Sequence, residues 1–172
     1  DFTGISPEFY TNVAAPGPMA HFLALLGAVL MRAGQNELAA AATEQAVALD
    51  PGNPRILMNL GVLETRGGNF VPARRIYERA LALLPEDPTL LYNLGQLCQQ
   101  QGLYDEAIRH YAAALAGNPR LADAYLSLAW CQVRTNRLGP ARIILGRFLA
   151  TLPGDARRGQ ALAMLKQLET MQ

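Results

Sequence analysis

LMNLGVLETRGGNFVPARRIYERALALLP, residues 57–85, and LYNLGQLCQQQGLYDEAIRHYAAALAGNP, residues 91–119, are the two stretches that decide the fold. Aligned at their final prolines, they share a Leu-Gly pair, an alanine, a tyrosine and a second alanine at the same offsets. A fixed long period of this kind predicts a stack of like supersecondary units. The proline recurs every 34 residues, at Pro51, Pro85, Pro119 and Pro153.

Other columns of the sequence obey the same period and divide it into four units, residues 20–53, 54–87, 88–121 and 122–153. Each unit predicts two helices, because proline ends the second and a turn residue separates the two. The turn residues, which we expect in the left-handed conformation, are Gly34, Gly68, Gly102 and Asn136. Small side chains that let the two helices approach recur at Ala39, Ala73, Ala107 and Ala141.

The pattern Leu60-Gly61, Ala73, Tyr77, Ala80 and Pro85, repeated 34 residues later, resembles the tetratricopeptide repeat (TPR) family. The resemblance covers about residues 20–153, and the outer units depart from it, with Thr43 and Leu145 at the tyrosine position. It implies an all-α fold: a right-handed superhelical solenoid of four helix-turn-helix units followed by a C-terminal capping helix.

The capping helix is predicted within residues 154–172, which lack the Leu-Gly signature of another unit. Its apolar residues follow helical periodicity, at Ala161, Leu162, Leu165 and Leu168. A helix with one polar side suits this place because a repeat array must cover its last apolar face.

Residues 1–19 form an N-terminal extension with two interpretations. Ser6-Pro7-Glu8 is typical of a helix start and predicts a short helix to about Val13, which the sequence 16–18 would break. The segment also resembles a remnant of a cloning vector. Its large apolar residues, which could reach the groove of the array or a neighbouring molecule, are Phe2, Ile5, Phe9 and Tyr10.

The family resemblance also implies which residues face a partner, since the first helix of each TPR unit lines the concave groove. The implied partner-binding residues are Arg55, Met58, Asn59, Val62, Arg66, Tyr92, Asn93, Gln96, Trp130 and Arg134. Asn59 and Asn93 would either hold a peptide backbone, since an amide both donates and accepts, or bond to neighbouring helices. Trp130 would either anchor a partner or pack against the capping helix.

Charge is uneven along the chain. Residues 1–133 carry 8 basic and 12 acidic side chains, whereas residues 134–172 carry 7 basic and 2 acidic ones. The basic end is either a solvated surface or a docking face for an acidic partner. Nucleic acid is not expected as a ligand because net charge is only +1. No apolar run reaches the ~20 residues of a membrane span.

No catalytic site is evident, and no cofactor or metal is expected. The two histidines, His21 and His110, are far apart in the repeat frame, and no glycine-rich phosphate loop is present. Asp105-Glu106 is typical of a helix N-terminus rather than of a catalytic pair. Cys98 and Cys131 occupy unmatched positions of neighbouring helices, so a disulfide between them is not expected.

The sequence therefore predicts a non-enzymatic protein–protein interaction module. It would bind an extended peptide or a helix of a partner protein in its concave groove and act in assembly or scaffolding. Two alternatives stay open. The chain could be a structural protein that self-associates through its terminal units or its N-terminal extension, or a regulatory, substrate-recruiting module of a larger enzyme.

Overall fold

A computed structural model of the chain describes residues 16–171. Over this range it is all-α, as the repeat predicted, and contains nine helices. They are α1 (Pro16–Arg32), α2 (Asn36–Leu49), α3 (Pro54–Arg66), α4 (Phe70–Leu83), α5 (Pro88–Gln100), α6 (Tyr104–Gly117), α7 (Ala122–Arg134), α8 (Leu138–Thr151) and α9 (Arg158–Glu169).

The start of α1 corrects one expectation. The helix begins at Pro16, four residues before the predicted start of the first unit at residue 20. Proline in the first turn of a helix costs little free energy, because the first N–H groups of a helix have no intrahelical partner. Pro16 and Pro18 therefore lie in the opening turn of α1 instead of breaking a helix. The short helix predicted to end near Val13 lies outside the described residues.

The turns inside the four helix pairs share one geometry. The predicted residues are left-handed, with φ of 78° at Gly34, 79° at Gly68, 75° at Gly102 and 58° at Asn136. The next residue donates to a carbonyl five residues back, as Gln35 N does to Leu30 O at 2.9 Å. This is the Schellman helix ending, and it confirms the turn prediction in all four pairs.

Close approach of paired helices is visible at the glycine of each Leu-Gly motif. A Cβ atom added at Gly95 would lie 2.6 Å from ring atoms of Tyr111, and one at Gly61 would collide with the ring of Tyr77. Both tyrosines are buried. In each central repeat the tyrosine ring therefore packs directly on the glycine and occupies the space that a larger side chain at the glycine position would need.

Two compact units divide the chain at residues 84 and 85. In the first unit the buried side chains are small apart from a few such as Leu57 and Tyr77, and many are alanines of α1 and α2. The second unit contains a large core cluster with Tyr111, Tyr125 and Phe148, and the last two rings are 5.8 Å apart. Helix α9 joins that core through Ala161 and Leu168.

Candidate interaction surfaces

In the first unit, five of the predicted interaction residues lie on α3. They are Arg55, Met58, Asn59, Val62 and Arg66, which we call the A-helix face of the first unit. Asn53 caps the helix by accepting a hydrogen bond from the Arg55 backbone N–H at 3.1 Å. Ile56, Leu57 and Leu63, on other sides of the helix, are buried, whereas the five predicted residues keep at least partial exposure.

Two polar residues of this face reach back to α1. The Asn59 side-chain amide donates to the Ala24 carbonyl at 3.5 Å, and the Arg66 guanidinium donates to the Met31 carbonyl at 3.5 Å. These are long hydrogen bonds that link the first helices of successive repeats. The alternative in which Asn59 bonds to a neighbouring helix thus has a contact to support it.

In the second unit the remaining predicted residues lie on α5 and α7. They are Tyr92, Asn93, Gln96, Trp130 and Arg134, which we call the A-helix face of the second unit. Among all ten predicted residues only Asn93 is buried, with 9% of its surface exposed. A buried amide has little surface to offer a partner, so the other nine residues are the accessible members of the predicted set.

Tyr92 is held in place by its own helix and by the core. Its hydroxyl accepts a hydrogen bond from the Gln96 amide at 3.0 Å, and its ring centroid lies 5.6 Å from that of Tyr111. Burial raises the pKa of Tyr92, and the Asp123 carboxylate adds to the rise. At neutral pH the side chain is therefore an uncharged hydrogen-bonding group with a fixed ring.

Beneath Tyr92 lies a buried polar network. The Tyr111 hydroxyl donates to the Gln99 Oε1 atom at 2.7 Å, and the Cys131 thiol donates to the same oxygen at 3.7 Å. Burial raises the pKa of the Cys131 thiol to about 12. Both cysteines are buried, and no disulfide joins them. An uncharged, buried thiol is a packing residue and not a nucleophile.

Trp130 and Arg134 form an aromatic and cationic cluster with Tyr104 of α6. The Trp130 and Tyr104 rings meet edge to face with centroids 5.5 Å apart. The Arg134 guanidinium carbon lies 5.6 Å from the centroid of each ring. Trp130 nevertheless keeps 39% of its surface exposed. The cluster is a fixed, accessible group of the type that anchors protein interfaces.

Trp130 also borders the last helix. With Val133 it forms one wall of a cavity of about 300 Å³, and the opposite wall comes from α9 and Met171. The Trp130 ring thus lies beside α9 and keeps part of its surface exposed, and its role as an anchor for a partner stays a prediction. Sequence reasoning missed Tyr104 and the α9 wall, since no repeat column marks either one.

Two of the basic side chains in residues 134–172 form ion pairs within the second unit. Arg157 forms an ion pair with Asp123, Nε to Oδ1 at 2.8 Å, and a longer one with Asp155 at 3.3 Å. Arg137 pairs with Asp105 of α6. These pairs are largely exposed, so each contributes little stability. They reduce the positive charge that this end of the chain presents to a partner.

A different surface lies on α1. Phe22, Leu25, Leu26 and Val29, which we call the α1 apolar face, follow helical spacing, and their exposed fractions are 59%, 58%, 37% and 56%. One repeat later, Ile56 and Leu63 stand at the positions of Phe22 and Val29, and both are buried. The first unit thus has a packing side without a helix against it among the described residues. Leu26 stands at the position that Leu60 and Leu94 occupy in the two central repeats.

Two kinds of feature were not found in the described part of the chain, a metal-binding cluster and a membrane-spanning helix. Within residues 16–171, no three histidine, cysteine, aspartate or glutamate side chains come together as a metal site. No helix there is both long enough and apolar enough to cross a membrane.

Comparison with known proteins identifies the repeat. A tetratricopeptide repeat model matches residues 25–88 and 66–119, and a second model of the same family matches residues 99–165. No curated protein matches the chain.

Solved structures share the fold at low identity. PilF of Pseudomonas aeruginosa is 19% identical with a TM-score of 0.80, and the match covers 91% of this chain and 71% of that one. The MamA protein is 21% identical with a TM-score of 0.72, covering 90% and 84%. A chain of the Cut9–Hcn1 hetero-tetramer of the APC/C is 23% identical with a TM-score of 0.78, covering 87% and 30%. With two family models spanning most of its length, the chain belongs to the tetratricopeptide repeat family, whose members are protein-interaction modules.

Proposed function

We propose that the chain is a non-enzymatic assembly or scaffolding factor that binds an extended peptide or a helix of a partner protein on its A-helix faces. One observation carries this proposal: the predicted residues other than Asn93 stay accessible, while other sides of the same helices are buried. The likeness to a chain of a hetero-tetramer adds that this fold occurs in protein complexes.

The chemistry of the two faces suits a peptide. Met58, Val62 and Tyr92 offer apolar contact area, and Gln96 carries an amide able to pair with a peptide backbone. Arg55 and Arg134 are exposed guanidinium groups that can pair with carboxylates. Each face combines apolar side chains with polar groups that fix orientation, which is the composition of a recognition site.

The test compares matched substitutions on α3 and α4. Arg55→Glu and Val62→Glu change the A-helix face of the first unit, whereas Arg75→Glu and Val71→Glu place the same charges on the exposed side of α4. Partners captured by the wild-type chain from its source cells are identified, and the affinity of one purified partner is measured by calorimetry. We expect only the α3 variants to weaken it. Equal affinity for all four variants would reject this face as the site.

A second candidate function is self-association through the α1 apolar face. It is favoured by the exposure of Phe22 and Val29, whose counterparts one repeat later, Ile56 and Leu63, are buried. Contiguous exposed apolar side chains of this kind mark interaction surfaces. A second copy of the chain is the occupant that this hypothesis assigns.

Sedimentation velocity over a concentration series tests the second candidate. Wild type should shift towards dimer as concentration rises, and Leu25→Lys should keep it monomeric. Leu38→Lys on α2, where Leu38 is as exposed as Leu25 at 58%, is the control and should leave the association unchanged. A wild-type chain that sediments as a monomer throughout the series would exclude self-association.

A further inference from the structure

The cavity beside Trp130 has the properties of a side-chain receptor. Its volume of about 300 Å³ lies at the lower end of the range for ligand cavities. Trp130 and Val133 of α7 line it together with Gln160, Met164, Gln167 and Leu168 of α9 and with Met171. The residues that line it carry no charge, so a charged group has no counter-ion inside and an apolar group is favoured.

The α9 wall combines adaptable and orienting groups. Met164 and Met171 are unbranched thioethers that can adjust to side chains of different shape. Gln160 and Gln167 are exposed amides two helical turns apart, a separation of roughly 10 Å along the helix axis. Both line the cavity and are exposed, so their amides can pair with the backbone of a segment that enters it.

Arg134 supplies charge next to the cavity. Its guanidinium carbon lies 5.6 Å from the centroids of both the Trp130 and Tyr104 rings, which places its charge against two aromatic side chains. Arg137 and Arg157 have carboxylate partners, but none of the ion pairs among residues 16–171 includes Arg134. A guanidinium packed on aromatic rings can still bind a carboxylate through its N–H groups.

We propose that this cavity, which we call the Trp130 pocket, takes one large apolar side chain of a partner segment in which an acidic residue stands next to it. The apolar side chain packs on Trp130 and Met164, and the neighbouring carboxylate binds Arg134. The proposal rests on the proposed function and assigns the specificity of the second unit. It commits to a partner peptide, because an acidic neighbour complements an arginine that has no ion pair among the described residues.

A display library of short random peptides, selected on the chain of residues 1–172, tests the pocket. The enriched peptide is then synthesised with its acidic residue intact and with that residue amidated, as Glu→Gln or Asp→Asn. Binding is followed by fluorescence of Trp130, the single tryptophan of the chain. The variants are Met164→Glu and Arg134→Glu. Their controls are Ala163→Glu, exposed on α9, and Arg147→Glu, exposed on α8.

We expect selection to enrich an apolar residue beside an acid. Met164→Glu should weaken the acidic peptide about tenfold or more, as loss of an interface anchor does. Arg134→Glu should weaken the acidic peptide but have little effect on its amidated form, whereas both controls bind like wild type. Circular dichroism verifies that the variants are folded.

Three results would overturn the proposal. If enriched peptides bind Met164→Glu and Arg134→Glu as well as wild type, but lose affinity in Val62→Glu, the pocket fails while the proposed function stands. If no peptide is enriched and no partner is captured, both fail. If Met164→Glu instead abolishes a concentration-dependent dimer of the free chain, the occupant is a second copy and not a partner peptide.

Discussion

The side chain of Gly95 is a single hydrogen atom, and this small size lets α5 and α6 approach closely. The Tyr111 ring fills the space over Gly95, where a methyl group would lie 2.6 Å from two ring atoms. The ring is buried and its hydroxyl is bonded to Gln99, so it has little freedom to move away. Gly146 of α8, in contrast, is exposed and has no atom near the position of an added Cβ.

These two glycines predict opposite effects of the same substitution. Gly95→Ala should lower the free energy of unfolding by about 1–3 kcal/mol, the usual cost of forcing extra atoms into a packed core. Gly146→Ala should raise it by roughly 0.5–1 kcal/mol, because alanine favours a helix over glycine. Urea unfolding monitored by circular dichroism measures both, and a stabilised Gly95→Ala would contradict the packing of Tyr111 on α5.

Buried weak acids predict that stability falls at high pH. Burial raises the pKa of Tyr77 from 10.0 to about 12 and that of Cys131 from 9.0 to about 12. The folded chain keeps both protons at pH values where the unfolded chain has lost them, so stability is complete below about pH 9 and declines towards pH 12. One such group changes the unfolding free energy by at most about 1.4 kcal/mol per pH unit.

Urea titrations between about pH 8 and 12 check this dependence. Tyr77→Phe should flatten the decline above pH 10, and Cys131→Ala should flatten the part that starts near pH 9. Variants whose stability declines with pH as steeply as that of wild type would show that these groups do not hold their protons in the fold.

Among the helices, α9 has one side in the core of the second unit and one side exposed. Leu168 has 2% of its surface exposed and belongs to the core of the second unit, whereas Leu162 on the same helix is 45% exposed. The pattern of apolar residues placed a helix there, and the structure has it at Arg158–Glu169. The prediction that α9 caps the apolar side of the preceding repeat can be tested by stability measurements.

Leu168→Ala and Leu162→Ala provide that measurement. The first should cost about 2–4 kcal/mol of unfolding free energy, as for other buried leucines, and the second no more than roughly 0.5 kcal/mol. Removal of residues 154–172 should expose the side of α8 that carries Phe148 and promote aggregation, detected by light scattering. If both leucine variants unfold like wild type, α9 does not stabilise the second unit.

The 34-residue period and the residues that favour left-handed turns made the helices predictable from the sequence. The left-handed residues, including Asn136 in place of a glycine, follow from one column of the sequence because few residues tolerate positive φ. The start of α1 was less predictable, since proline is compatible with the first turn of a helix as well as with a break. The sites depend on contacts between helices: neither the Arg134–Tyr104 contact nor the Arg157–Asp123 pair has a sequence signal, because each joins residues about one repeat apart.

Across the chain, the two units differ in what they bury. The first relies largely on alanines, including Ala20, Ala39 and Ala46, and leaves the α1 apolar face uncovered by the described residues. The second buries Tyr125, Leu145 and Phe148 in one core. A buried large side chain stabilises by about 1.5–3 kcal/mol more than an exposed one, so local stability should be higher in the second unit.

Hydrogen exchange followed by mass spectrometry tests this difference. At low protein concentration, where self-association is minimal, amides of α1 and α2 should exchange faster than those of α7 and α8, because local opening exposes less apolar area there. Uniform protection along α1–α8 would mean that opening is global and that the alanine-rich helices are as stable as the rest.

The one-repeat spacing of the side-chain links constrains how such a chain can change in length. Asp123 and Arg157 are 34 residues apart, and Asn59 reaches a carbonyl 35 residues earlier. Duplication of a whole 34-codon segment would give each new side chain a partner at the same distance, and the array would lengthen without new contacts having to arise. A single-codon insertion inside a helix would misalign every later column with its neighbour. Gene evolution in this family should therefore proceed in whole repeats, with small insertions confined to the turns.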